Sequence, residues 1–199
     1  MQVDTYLGIT QTYTSEYRAS GSKFYGFVFP VDSAEDYERK IKAYKTEYSD
    51  ATHVCSACVI GLDREYQRFS DDGEPSNSSG RPMLYALLSK EISFVGCAVV
   101  RYYGGKKLGI PGLIEAYGGA AELCIEDAAF IELTLMETTV CTIDAAISYE
   151  LYNYLARRKD VAQAVDTNGK FILRCAKSLT PRLREELKKI RTLVIENEQ

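Results

Sequence analysis

From Ile92 to Val100 the chain reads Ile-Ser-Phe-Val-Gly-Cys-Ala-Val-Val, with no charge and no alternation of polar and apolar residues. A strand with one wet face alternates, so this run predicts a central strand over Ile92–Arg101 that other elements must cover. The covering helices are visible nearby. Ser33, with Asp36 three positions on, can cap a helix whose Tyr37, Ile41, Tyr44 and Tyr48 form one apolar stripe. Met83–Leu88 reads as a short helix. Pro111 suits the first turn of another, in which Leu113, Tyr117, Ala120 and Cys124 recur at helical spacing. Lys23–Phe29 and Thr52–Leu62 read as further strands. Between these elements, Arg68–Pro82 is a long polar loop with almost nothing to bury, of the kind that is often functional and as often merely a surface loop.

After Phe130 the pattern changes. A strand over Leu133–Ile143, a helix over Ser148–Arg158, a strand over Val161–Thr167, an Asn168-Gly169 hairpin turn, a strand over Lys170–Ala176, a helix over Pro181–Arg191 and a short strand near Val194 follow one another. That β-α-β-β-α-β order is that of a ferredoxin-like domain. The expectation is therefore an α+β protein of two domains, 1–130 and 131–199, which fits 199 residues.

With 46% hydrophobic and 26% charged residues the chain sits near the globular average. Its longest apolar runs, such as Val95–Val100, are strand-sized and far from the roughly 18 residues of a membrane span. Met1–Leu7 carries Asp4 and no basic-then-apolar signal pattern, so a cytoplasmic protein without membrane partners is expected, its six cysteines reduced. A net charge of −4 excludes polyanion binding by a globally basic surface. Up to Phe130 there are 13 Lys and Arg against 18 Asp and Glu, and beyond it 11 against 10, so any such binding must come from local patches.

The candidate patch is Arg101-Tyr102-Tyr103-Gly104-Gly105-Lys106-Lys107, which leaves the buried strand and enters a helix. Glycines expose backbone amides, Arg and Lys supply charge and tyrosines can stack on bases; the other reading is a tight turn with solvated lysines. It is neither a Walker A motif nor a Rossmann fingerprint. Asp71, Asp72 and Glu74 around Gly73 form a candidate hard-metal site or, alternatively, an acidic turn paired with Arg101 or Lys106. Cys55 and Cys58 would point to opposite faces of a strand, whereas His53 and Cys55 share one, so a Cys–His pair can be written down beside the alternative of a buried thiol and a hydrogen-bonded histidine. The last helix, with Arg182, Arg184, Lys188, Lys189 and Arg191, could lie along phosphates or simply be solvated.

Taken in order, His53-Val54-Cys55, Phe69-Ser70-Asp71-Asp72-Gly73-Glu74-Pro75, Gly80-Arg81-Pro82-Met83, Val99-Val100-Arg101-Tyr102-Tyr103-Gly104-Gly105, Leu108-Gly109, Gly112-Leu113 and Ala116-Tyr117-Gly118-Gly119 closely resemble the YigZ/IMPACT family. The resemblance spans roughly Ser20 to Asp127. It implies an N-terminal α/β domain like the second domain of a small-subunit ribosomal protein, and a ferredoxin-like domain like the last domain of elongation factor G. It also implies work near RNA or the translation machinery, since eukaryotic relatives regulate translation in the response to amino-acid starvation.

The leading expectation is a non-enzymatic protein that binds RNA or the ribosome, a translation or stress-response regulator. Arg81, Arg101, Tyr102, Tyr103, Gly104, Gly105, Lys106 and Lys107 would form its cleft, with the basic C-terminal helix adding phosphate contacts. No cofactor is expected. The alternatives are a metal-assisted phosphoester hydrolase that uses Asp71, Asp72 and Glu74, and a module that docks a protein partner through the same loops.

Overall fold

The structure, a computed structural model, describes residues 4–196. Chain contacts divide it into two units, one of Tyr6–Leu133 and one of residues 4–5 with 134–196. Strands β1 (Thr5–Gly8) and β7 (Ile131–Thr134) pair as a two-stranded ribbon.

The first unit is built on a five-stranded antiparallel sheet. Its strands are β2 (Tyr13–Ala19), β3 (Ser22–Pro30), β4 (His53–Ile60), β5 (Tyr66–Ser70) and β6 (Val95–Tyr102), in the order β2-β3-β6-β4-β5. The apolar run is thus the central strand β6, and both faces are covered. Helices α2 (Gly80–Leu88) and α3 (Gly109–Glu126) lie on one face and α1 (Ala34–Glu47) on the other. Register decides which residue serves which face. Phe24, Arg101 and His53 stand opposite one another across β3, β6 and β4, as do Lys23 and Tyr102 on the reverse face.

Phe24, Met83, Leu87 and Tyr117 are wholly buried in the core under α2 and α3. Each large apolar side chain there contributes roughly 1.5–3 kcal/mol. On the other face Phe27 and Phe29 pack on Tyr44, while the Tyr37 hydroxyl donates to Ser56 Oγ at 2.8 Å. Ser33 caps α1 as its spacing predicts, accepting from the Asp36 amide at 3.1 Å. The helix ends at Glu47, and Tyr25 and Tyr102 on this face, with Tyr48 just after the helix, line an open hollow.

The second unit runs β8 (Met136–Thr142), α4 (Ser148–Leu155), β9 (Ala162–Val165), β10 (Phe171–Ala176), α5 (Thr180–Leu187) and β11 (Val194–Ile195). Its sheet is antiparallel, ordered β11-β8-β10-β9. Cys141, Leu151, Leu173, Leu183 and Leu187 form its core. The Asn-Gly hairpin is present, but only Gly169 takes positive φ, where a two-residue type I′ turn would need two such residues. The last helix stops at Leu187, four residues before the expected Arg191, so Lys188 caps it and Lys189 and Arg191 lie beyond it.

Candidate functional site

The segment read from the sequence as a long polar loop is an ordered scaffold. Its first part is strand β5, and Glu74, Ser78 and Ser79 are buried. Asp71 explains the order. Its Oδ1 accepts from the Ser79 amide (3.1 Å), the Ser79 hydroxyl (2.8 Å) and the Gly80 amide (2.9 Å), and its Oδ2 from the Asn77 amide (2.8 Å). Ser79 does not cap α2 with its own side chain, so Asp71, eight residues upstream, satisfies amides that the helix start leaves open. Burial opposes the charge on Asp71, but the bonds from Asn77, Ser79 and Gly80 outweigh it and hold the carboxyl below its ordinary range. Asp72 turns elsewhere, accepting from the Val54 amide at 2.7 Å and pairing with Lys45.

Glu74 goes inward. Its Oε1 accepts from Arg101 Nη1 at 2.5 Å and from the Tyr117 hydroxyl at 2.7 Å. Burial, and then the neighbouring Cys55 thiol and Glu74 carboxylate, push the Tyr117 phenol well above its ordinary value, so it stays a donor. The three carboxylates therefore diverge, and among the described residues no group of three or more His, Cys, Asp or Glu side chains is placed to hold a metal ion. The arrangement required by the metal-assisted hydrolase expectation is not formed by these residues.

Arg101 takes the pairing with the acidic turn that the sequence offers as the alternative to a metal site. It is 6% exposed, its guanidinium lies 5.4 Å from the ring centroids of Phe24 and Tyr103, and its charge is matched by Glu74. It braces the wall of a cleft and does not reach for a phosphate. Two backbone amides of this segment are likewise engaged. Tyr103 N–H donates to Thr52 Oγ1 at 3.0 Å and Gly104 N–H to Ser22 Oγ at 3.1 Å. Gly104 is glycine for packing, since a Cβ there would come within 1.9 Å of the Gly21 backbone. Gly105 has φ +86 and open space around it, a turn position that favours glycine.

Two open hollows result, and Tyr103 borders both. The first, about 500 Å³, is lined by His53, Glu74, Arg101, Tyr103, Lys107 and the apolar start of α3 at Leu108, Ile110 and Leu113. His53 Nδ1 lies 2.8 Å from the Asp72 carbonyl oxygen, which can only accept. In the neutral ring Nδ1 therefore carries the proton, and Nε2, 3.9 Å from Glu74 Oε1, is left as an acceptor. Cys55 is no partner for it: its thiol donates to the Asp71 carbonyl at 3.1 Å, and burial pushes it up to about 12. The second hollow, about 550 Å³, lies on the α1 face and is lined by Gly21, Lys23, Tyr25, Tyr48, Tyr102 and Tyr103.

Of the expected set, Arg101, Tyr103 and Lys107 meet in the first hollow, and Tyr102 and Tyr103 in the second. Lys106 is exposed beside Lys107, and neither has an ion-pair partner among the described residues. Arg81 stays on α2, where its Nε donates to the Tyr85 hydroxyl, and it lines neither hollow. The C-terminal cations are largely spent within their own unit: Arg182 pairs with Glu186, Lys188 with Glu185 and Arg184 with Glu137. Sequence reading missed Tyr25, Tyr48 and Lys23, whose roles depend on where α1 stops. It placed Tyr117 in the core stripe without seeing that its hydroxyl closes on Glu74.

Residues 20–125, just over half of the chain, match the family described as the Impact N-terminal domain. The chain belongs to the IMPACT family. Curated IMPACT family members resemble it, among them YvyE of Bacillus subtilis (strain 168) and YigZ of Escherichia coli (strain K12), each 37% identical. The matches cover 58% and 61% of this chain and 53% and 58% of those proteins, so the chain spans somewhat more than half the length of the curated relatives it matches. A crystal structure described as that of a hypothetical protein superposes over 100% of this chain and 99% of its own, at TM-score 0.71 and 24% identity, a likeness of fold. His53, Glu74 and Arg101, which line the first hollow, all lie within the matched residues. No helix among the described residues is long and apolar enough to cross a membrane.

Proposed function

We propose that this IMPACT protein works by binding RNA at or near the ribosome and regulates translation through that contact. One observation carries the reading: the loop Tyr103–Lys107 stands exposed between two open hollows, with two lysines that no acidic side chain among the described residues neutralises. Around it, Arg101 and Lys45 are each paired with a carboxylate. Uncompensated cations beside exposed tyrosine suit a polyanion that presents bases, because charge supplies affinity and aromatic rings add stacking. The β-α-β-β-α-β order and β11-β8-β10-β9 sheet of the second unit support the ferredoxin-like reading of that part, and the family resemblance supports the translational setting.

A second reading, docking of a protein partner, draws on Ile110 and Ile114 at the start of α3, which are 53% and 43% exposed beside the first hollow. Sedimentation of a cell lysate through a sucrose gradient, with and without nuclease, separates the two. The RNA reading expects the protein to travel with ribosomal particles and to return to the top fractions after nuclease. A complex that survives nuclease intact selects the protein partner.

A further inference from the structure

We propose that the tyrosine-lined hollow on the α1 face is a stacking site for unpaired bases of single-stranded RNA, an inference that rests on the RNA reading above and gives it a place and a substrate class. The site follows from strand register and from where α1 ends. Tyr25 on β3 and Tyr102 on β6 sit on neighbouring strands of the sheet, with ring centroids 6.0 Å apart and planes at 78°, and Tyr48 and Tyr103 also line the hollow. Adjacent strands that present aromatic rings on an uncovered sheet face are the arrangement by which sheet surfaces stack two or three successive bases. The rings are held in place before any ligand arrives. Tyr102 donates its hydroxyl to Asp50 Oδ1 at 2.8 Å, and Tyr48 packs on Phe27 with centroids 5.6 Å apart. Little side-chain freedom remains to be lost on binding.

Charge favours the same occupant. Two nearby acids are engaged locally, Asp50 by the Tyr102 hydroxyl and Glu16 by Arg18. Lys23, which stands opposite Tyr102 in the register, and the loop lysines Lys106 and Lys107 have no acidic partner among the described residues. Phosphates of a strand whose bases enter the hollow would meet these lysines. In a duplex the bases are already stacked on one another and cannot enter.

The test uses the full chain, a fluorescein-labelled oligouridine dodecamer read by anisotropy, and duplex RNA as competitor. Tyr25→Ala and Tyr102→Ala are expected to weaken binding about five- to 150-fold each. Their salt dependence should stay at the wild-type slope, whereas Lys23→Ala should flatten it by a little under one unit. Duplex RNA should compete poorly. A 5-iodouridine form of the same oligonucleotide, irradiated on the unaltered protein, should cross-link to Tyr25, Tyr48, Tyr102 or Tyr103, a readout independent of whether a variant folds. Tyrosine variants that bind like wild type, or cross-links confined to the second unit, would overturn the stacking site while RNA binding itself stands. A wild-type chain that binds no oligonucleotide at all would remove the RNA reading and the site with it.

Discussion

Two glycine-bearing charged loops of the first unit look alike in sequence and behave in opposite ways in the structure. Ser70–Ser79 carries three carboxylates, and every one is spent: Asp71 on the start of α2, Asp72 on Val54 and Lys45, Glu74 on Arg101 and Tyr117. Tyr103–Lys107 carries two lysines, and among the described residues neither is matched by an acid. The difference teaches that a cluster of charge in a sequence says little about binding until the partners of each group are known. The acidic loop is scaffold, and the lysine loop is open surface with unmatched charge.

That contrast can be broken first where it is strongest. Glu74→Ala leaves the Arg101 guanidinium buried without its counter-charge, and loss of one partner of such a pair costs about 3–5 kcal/mol. The urea midpoint should fall accordingly. A loss below about 1 kcal/mol would mean that the pair is not a structural keystone and that Glu74 is available for another task. Asp71→Asn should have the next largest effect, about 1–3 kcal/mol, because the Ser79 and Gly80 amides lose their charged acceptor.

The pH dependence of the Asp71 effect has a definite sign. The folded carboxyl titrates below its ordinary value, so its contribution is fully present above the unfolded pKa of about 3.9 and fades as pH falls through the lower folded value. Urea midpoints of wild type and Asp71→Asn, measured from pH 7 down to pH 3, should therefore converge toward acid. A gap that widens toward acid would contradict the geometry given to Asp71. The smallest effect on stability belongs to the other loop: Lys106→Ala with Lys107→Ala should leave the midpoint within about 0.5 kcal/mol of wild type.

Much of the fold is legible in the sequence because its signals are local. The unbroken run Ile92–Val100, the Ser33 cap and the stripe Leu113–Cys124 each announce an element, and each is found with boundaries shifted by a few residues. Strands β2 and β5 escape notice because their exposed positions carry polar residues such as Glu16, Arg18, Gln67 and Arg68, and what makes them strands is pairing with β3 and β4. The motif residues are legible as a set, but their roles are not. The sequence leaves two readings open for the acidic turn, a metal site or pairing with Arg101 or Lys106, and the fold selects Arg101 by bringing it and Glu74, 27 residues apart, into one buried pair. The tyrosine hollow is less legible still, because its lining comes from β3, β6 and the residue after α1, which are distant in the chain.

The most direct test of the central claim is the salt dependence of oligouridine binding by the wild-type chain and by the Lys106→Ala, Lys107→Ala double variant. Two phosphate contacts to a single strand correspond to a change in slope of about 1.4 in log affinity against log salt. The account predicts that the variant keeps its fold and loses about that much slope. An unchanged slope in a folded variant would show that the lysine loop does not face the nucleic acid, and the division between scaffold loop and binding loop would fall.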